Sequence, residues 1–99
     1  MPVAMIMEAP GMTTELYDSV MEHLEWNERD LPDGFVSHYA CATDDGLLVI
    51  DIWESEGDFR TFFQDRLHAA LMAATDGEAP AIEPRFAPIH NEDHARARV

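Results

Sequence analysis

The chain has 99 residues, enough for one small domain and too few for two. Six Arg, no Lys and twenty Asp plus Glu give a formal net charge of −14. That balance excludes a protein that binds nucleic acid by neutralising phosphates, and it disfavours docking on an anionic membrane. A hydrophobic content of 46% is too high for a disordered acidic chain, so the sequence reads as a folded, soluble, very acidic domain.

The apolar run Val3 to Glu8, closed by Ala9-Pro10-Gly11, reads as a strand ending in a turn. Its start lacks a basic segment and is interrupted by Glu8, which falls short of a signal peptide or membrane span. Cys41 is the single cysteine, so no internal disulfide can form, and the expected compartment is the cytoplasm. Thr13 and Thr14 are both candidate N-caps, with Glu15 and Asp18 near the positive end of a helix. Leu16, Val20 and Leu24 recur every four residues and Tyr17 and Met21 widen the stripe, which predicts an amphipathic helix from Thr14 to about Trp26.

Asn27 to Gly34 reads as a loop. Phe35 to Ala42 and Leu47 to Trp53 read as strands joined by Thr43-Asp44-Asp45-Gly46, a strong hairpin signal. Ser55 caps a second helix, with Asp58 completing a Ser-x-x-Asp box. Phe59, Phe62, Phe63, Leu67, Ala70 and Leu71 form its apolar stripe, and it should end near Ala74, before Asp76-Gly77. Ala79 to Pro84 reads as extended and broken by proline. Arg85 to His90 reads as a last strand whose flanking prolines, Pro84 and Pro88, lack a ladder N–H and argue for a sheet edge. Residues 1–91 form the expected domain, and 92–99 read as a disordered charged tail.

The order is β-α-β-β-α-β, the ferredoxin-like α+β pattern: an antiparallel four-stranded sheet in the order 4-1-3-2, with both helices on one face. In the third strand Leu48, Ile50 and Ile52 point one way, and Leu47, Val49, Asp51 and Trp53 the other. Both faces are largely apolar. A lone protomer would leave one apolar sheet face in water, so the pattern predicts a homodimer through sheet-to-sheet contact.

The element order, the Thr-Asp-Asp-Gly hairpin followed by Val49-Ile50-Asp51-Ile52-Trp53-Glu54-Ser55, and the Phe-rich helix after it resemble the dimeric α/β-barrel superfamily. Within it the chain is most similar to the antibiotic-biosynthesis-monooxygenase-like group. His38-Tyr39-Ala40-Cys41 and Pro88-Ile89-His90-Asn91 stand where small members often show His-Val-Ala-Gly and Pro-Val-His-Asn. The resemblance covers about residues 1–91, and the Trp-Glu-Ser junction is its most specific piece. Members include cofactor-free monooxygenases acting on aromatic polyketides, haem-degrading enzymes, isomerases and proteins of no known activity. The resemblance implies a pocket between sheet and helices, lined by Trp53. The haem-degrading members use a helix histidine as iron ligand; His68 lies on the second helix but does not align with that ligand.

Hairpin register decides which residues share a face. A two-residue Asp45-Gly46 turn sets His38 opposite Trp53, Ala40 opposite Asp51 and Ala42 opposite Val49, which clusters His38, Asp51 and Trp53. A three-residue Asp44-Asp45-Gly46 loop with a bulge sets Tyr39 opposite Asp51 and Ser37 opposite Trp53, and moves His38 to the other face. The first is favoured. Asp51 stands mid-strand among aliphatic residues, and burying a carboxylate costs several kcal/mol unless it is paired or protonated. It is therefore a candidate general acid/base with His38; the plainer alternative is a buried Asp bonded to a strand neighbour, the backbone or a dimer mate.

Trp53, Tyr39, Val49, Phe63 and His90 are the candidate ligand-binding residues. His38 and His90, on opposite sheet edges, could meet across a dimer. Cys41 reads as a small core residue, and Met5, Met7 and Met21 could make an adaptable apolar pocket. No zinc pattern, phosphate-cradling loop or dinucleotide fingerprint occurs. The leading reading is a homodimer that binds a small hydrophobic or aromatic metabolite. As an enzyme it would be a cofactor-free monooxygenase, isomerase or cyclase working by proton transfer through Asp51 and His38. A non-catalytic binding or stress-associated dimer is the second reading, and haem binding through His68 a weaker third.

Overall fold

A computed structural model of the chain describes residues 1–78 and 82–95. Part of the extended Ala79–Pro84 segment and the end of the charged tail lie outside them. The elements are β1 (Val3–Pro10), α1 (Thr14–Leu24), β2 (Phe35–Thr43), β3 (Gly46–Trp53), α2 (Glu56–Phe62), a π-helical turn (Phe63–Leu67), α3 (His68–Ala74) and β4 (Arg85–Pro88). The π turn and its flanking helices make one continuous helical stretch where the sequence predicts a single helix. The strands form one antiparallel sheet in the order β2-β3-β1-β4, with β2 and β4 at its edges. This is the ferredoxin-like α+β arrangement.

Period-two alternation builds the core. Along β3, Leu47, Val49, Asp51 and Trp53 are buried, and the residues between them are half-exposed. Met5 and Met7 of β1 join Val49 and Trp53 on this inner face, and the helices cover it with Val20, Leu24, Phe59, Phe62, Ala70 and Leu71. Trp53 and Met5 are fully enclosed. The outer face carries Ala4, Ile6, Leu48, Ile50 and Ile52, all half-exposed, with Tyr39 56% exposed beside them.

The hairpin register differs from both expected alternatives. Thr43 pairs with Gly46, Ala40 with Val49, and His38 directly with Asp51. The turn is therefore Asp44-Asp45, and Gly46 belongs to β3. Gly46 does not adopt a positive φ; it is needed for close approach, because a Cβ there would stand 2.3 Å from the carbonyl oxygen of Ala9 on β1. The observed pairing is two residues away from the favoured one, and a slip of two preserves the face. His38, Asp51 and Trp53 still point inward, while Tyr39 points outward.

Two strand ends also move. β1 continues to Pro10, and the chain turns at Gly11, whose φ is 82°. β4 stops at Pro88 rather than His90. Cys41, expected in the core, is exposed, as is every residue from Tyr39 to Thr43 at this end of the edge strand β2.

Capping fixes both helices. The Thr13 side chain accepts from the Leu16 N–H at 3.0 Å, and the Ser55 side chain from the Asp58 N–H at 3.1 Å. At the end of α1, Glu25 takes a left-handed conformation (φ 55°). Its N–H donates to Glu22 O, and that of Trp26 to Met21 O, a Schellman-type closure. That turn swings Trp26 back toward the sheet.

Candidate active site

Between the inner sheet face and the helices lies a cavity of about 70 Å³. Methionines from β1 and α1 (Met5, Met7, Met21) and Met12 of the connecting turn line it, with Val20, Leu24, Val49, Phe59, Phe62, Leu67, Leu71 and Ile82. Four of the chain's six methionines are therefore here, and unbranched thioether side chains can rearrange around a guest. The rings of Trp26, Phe35, Trp53 and Phe62 meet edge to face or tilted, with centroids 5.1–6.2 Å apart. Such packing makes a rigid aromatic wall.

Into this apolar surround project three polar side chains, Tyr17, His38 and Asp51. Asp51 is 5% exposed and is the one buried charged residue among the described residues. Its position follows from strand parity: it alternates inward with Val49 and Trp53. Both its oxygens are used. His38 Nδ1, directly across the strand pair, lies 2.5 Å from Oδ1, and Trp53 Nε1 donates to Oδ2 at 3.1 Å. On the other side of the imidazole, Tyr17 Oη lies 2.6 Å from His38 Nε2. The Tyr17 and His38 rings are parallel within 5°.

Proton inventory orients the chain. An ionised Asp51 only accepts, so a neutral His38 places its hydrogen on Nδ1, and Nε2 becomes the acceptor for the Tyr17 hydroxyl. For a neutral His38 the sequence is Tyr17 O–H to His38, His38 N–H to Asp51, and Trp53 N–H to Asp51. Burial raises the Tyr17 pKa above its ordinary 10.0, and the negative charges of Asp51 and then Asp18 push it the same way. Tyr17 is therefore held as the neutral phenol at physiological pH.

The predicted residues divide. His38, Asp51, Trp53 and Val49 line the cavity. Phe63 instead borders a second cavity of about 160 Å³, with Arg60, Gln64 and Pro84. Tyr39 is on the outer sheet face, and His90 is exposed beyond the end of β4. Sequence reasoning missed Tyr17 and Trp26 as site residues. Tyr17 was visible only as a member of the helix stripe, and Trp26 only as the end of that helix.

Haem does not suit these residues. His68 is exposed, lies tilted against Phe63 and does not line this cavity. His38 has both ring nitrogens engaged. At about 70 Å³ the cavity is far below a porphyrin, and even a single aromatic ring requires the surrounding methionine side chains to rearrange. Among the described residues no group of three or more His, Cys, Asp or Glu is placed to hold a metal ion, and no helix is long and apolar enough to cross a membrane.

The fold is the one seen in solved structures described as oxygenases or monooxygenases, one of them as a putative antibiotic biosynthesis monooxygenase, all of them below 25% identical to this chain. Among solved structures, the chain is similar to SnoaB, a cofactor-independent oxygenase from Streptomyces nogalater. The TM-score is 0.60 at 15% identity, over 92% of this chain and 95% of that one. It is also similar to a monooxygenase from the gene ActVA-Orf6 of Streptomyces coelicolor in complex with nanaomycin D, with TM-score 0.57 and 21% identity over 95% and 91% of the two chains. A third is the NE2512 protein of unknown function from Nitrosomonas europaea, with TM-score 0.62 and 10% identity over 97% and 95%. At these identities the likeness is one of fold. No protein-family model matches the chain, and no curated protein matches it in sequence.

Proposed function

We propose that the chain is a homodimeric α/β-barrel protein that binds a small, uncharged, apolar or aromatic molecule and moves a proton on it without a cofactor. The observation that carries this reading is the Tyr17–His38–Asp51–Trp53 hydrogen-bond chain set into an otherwise apolar cavity. A histidine backed by a carboxylate is the usual arrangement for taking up and returning a proton near neutral pH. Asp51 fixes the tautomer and stabilises the imidazolium, and His38 is the proton's destination. The fold is shared with a cofactor-independent oxygenase and with a monooxygenase that binds a small molecule, which supports chemistry in a cavity of this kind. Proton abstraction is common to oxygenation, isomerisation and cyclisation, and it is the step these residues supply.

Dimerisation is supported by the outer sheet face, where Ile6, Leu48, Ile50 and Ile52 are only half-covered. One unpaired cysteine suits the reducing cytoplasm. The test is deuterium exchange. Small enolisable ketones are incubated with the protein in D2O and their α-protons followed by NMR. Exchange above the buffer rate, lost in His38→Ala, is expected; no exchange with any ketone in the series refutes the catalytic reading. A non-catalytic binding protein is the second reading. It is favoured by one observation: every buried side-chain N and O atom among the described residues already has a partner.

A further inference from the structure

Several residues that line the main cavity also reach solvent, and at each of them the wall is one side chain thick. Five of these stand together where α1 meets the start of β2: Tyr17, Met21, Trp26, Phe35 and His38. Trp26 lies edge-on to Phe35 with ring centroids 5.1 Å apart, and its ring is 6.4 Å from that of His38, which lies parallel to Tyr17. Trp26 is thus the ring that joins Phe35 to His38 along this stretch of wall.

Trp26 and Phe35 are also the two ends of one loop, residues 27–34. Asn27, Glu28, Arg29, Asp30, Leu31 and Asp33 are exposed. The loop braces itself: the Asp30 N–H donates to Asn27 O at 3.0 Å, and the Arg29 N–H to Asn27 Oδ1 at 2.9 Å. Among the described residues, one hydrogen bond ties its middle to the rest of the fold, from Arg66 Nη1 to Asp30 O at 3.2 Å. Arg66 stands in the π-helical turn, a rare local geometry that recurs at functional positions of helices. Its guanidinium lies 5.9 Å from the ring centroid of Phe62, itself part of the cavity wall. Left-handed residues flank the loop: Glu25 (φ 55°) just before Trp26, and Gly34 (φ 79°) just before Phe35. Gly34 O accepts from the Glu54 N–H at 2.8 Å, which pins that end to the sheet. Glu25 is not a glycine and is held left-handed against its own preference, so release of the loop lets it relax.

From this geometry we infer that Trp26 and the 27–34 loop form a gate over the main cavity, hinged at Glu25 and Gly34 and latched by Arg66. The inference goes beyond the small-ligand reading above and supplies the way in. The closed cavity, about 70 Å³, holds no ring until its wall moves. This is the part of the wall with least to lose by moving. Opening breaks the Arg66 bond and the 3.3 Å bond from the Trp26 N–H to Met21 O, and it swings one indole away while Trp53, Phe59 and Phe62 stay packed. The loop, braced from within, moves as one hinged piece. The latch is a single bond within reach of water, so its removal should shift the opening equilibrium by about three- to tenfold.

The test is hydrogen exchange in D2O followed by 15N–1H spectra. The Trp53 indole N–H reports from inside the cavity, because it is bonded to Asp51 Oδ2 on a residue with no exposed surface and exchanges only when water enters. The Trp26 amide reports the hinge. In Arg66→Ala both are expected to exchange about three- to tenfold faster, with the amides of the β1–β3 ladder unchanged. No acceleration of either, or acceleration of the Trp26 amide without the Trp53 indole, overturns the gate. The parent protein gives a second reading that no poorly folded variant can obscure. Gate opening exposes little surface, so up to about 1 M urea the Trp53 indole and Trp26 amide rates should stay nearly flat while the ladder amides accelerate. A Trp53 indole rate that rises in step with the ladder shows a cavity opened only by unfolding and also overturns the inference. Neither measurement uses a guest, so failure here leaves the small-ligand reading standing for the ketone experiment to decide.

Discussion

Replacing Asp51 separates two things this carboxylate does, because Ala and Asn remove different parts of it. Asp51→Ala deletes both acceptors. The Trp53 indole N–H, on a residue with no exposed surface, then has no partner, and His38 loses a charge-assisted bond at 2.5 Å. An orphaned buried donor costs about 1–3 kcal/mol, and a lost bond to a charged group about 1.5–3 kcal/mol. Some water can reach His38, so Asp51→Ala is expected to destabilise by about 3–4 kcal/mol. Asp51→Asn keeps the shape. Its Oδ1 can accept from Trp53, and its NH2 can donate to His38 Nδ1, which requires the other histidine tautomer. His38 then carries its hydrogen on Nε2 and donates to Tyr17, whose own hydroxyl hydrogen turns toward the cavity. Every bond survives with the chain reversed, so the expected loss is about 1 kcal/mol. Urea unfolding at fixed protein concentration measures both values. Long-range 15N–1H correlation spectra of His38 read the tautomer directly, with Nδ1–H expected in the parent protein and Nε2–H in Asp51→Asn. An Asp51→Ala variant within 1 kcal/mol of the parent, or the same tautomer in parent and Asp51→Asn, would refute the proton assignment.

The alkaline limb tests Tyr17. Its folded pKa is raised above the ordinary 10.0, so the folded state holds that proton more tightly than the unfolded chain. The associated stability is fully present below about pH 10 and is lost as pH rises through the raised folded value. Absorbance at 295 nm should show a tyrosine component ionising above pH 10 that is missing in Tyr17→Phe; its absence from the parent protein argues against burial at Tyr17. Gly34→Ala should destabilise by about 1–2 kcal/mol, because φ there is 79° and a Cβ would stand 2.2 Å from Asp58 Oδ2, disturbing the Ser55 cap. Thermal unfolding indistinguishable from the parent protein would show that the turn relaxes freely. Light scattering should give twice the 11.2 kDa chain mass, and Ile50→Asp on the outer sheet face should give the single chain. A parent protein that scatters as one chain removes the dimer.

Parity made much of this legible. An alternating apolar strand has two faces whatever its partner, so the inward set Leu47, Val49, Asp51 and Trp53 could be read from β3 alone, and Asp51 stood out as a charge among aliphatics. The face of His38 survived an incorrect turn because the error was two residues, and a strand repeats every two. The turn itself misled. Asp45-Gly46 has the composition of a tight hairpin, but Gly46 serves the neighbouring strand, a contact no local pattern encodes. Tyr17 was hidden for a similar reason. On α1 it has the spacing of a core residue, and only the crossing of that helix over β2 brings its hydroxyl 2.6 Å from an imidazole. Phe63 belongs to the same apolar stripe as Phe62, yet it starts the π turn and borders the second cavity while Phe62 faces the first. Side-chain periodicity assigns a residue to a face and is silent on which cavity along that face it meets.

The charge of the chain and the wiring of its cavity point to the same kind of guest. Nineteen of the twenty acidic residues are not buried among the described positions, and the one that is, Asp51, is held by His38 and Trp53. Its negative charge is shared along His38 and Tyr17 as polarised hydrogen bonds. An anion formed in the cavity would face that carboxylate unless the proton it gave up stays close. His38 keeps it close: after transfer the imidazolium lies between the carboxylate and the ligand, and the positive charge it gains offsets the negative charge the ligand acquires. On the proposed reading, a ligand that enters neutral and becomes anionic only while its proton is held by His38 is the one these charges oppose least. A ligand already charged in water would meet the repulsion of the surface without the compensating imidazolium.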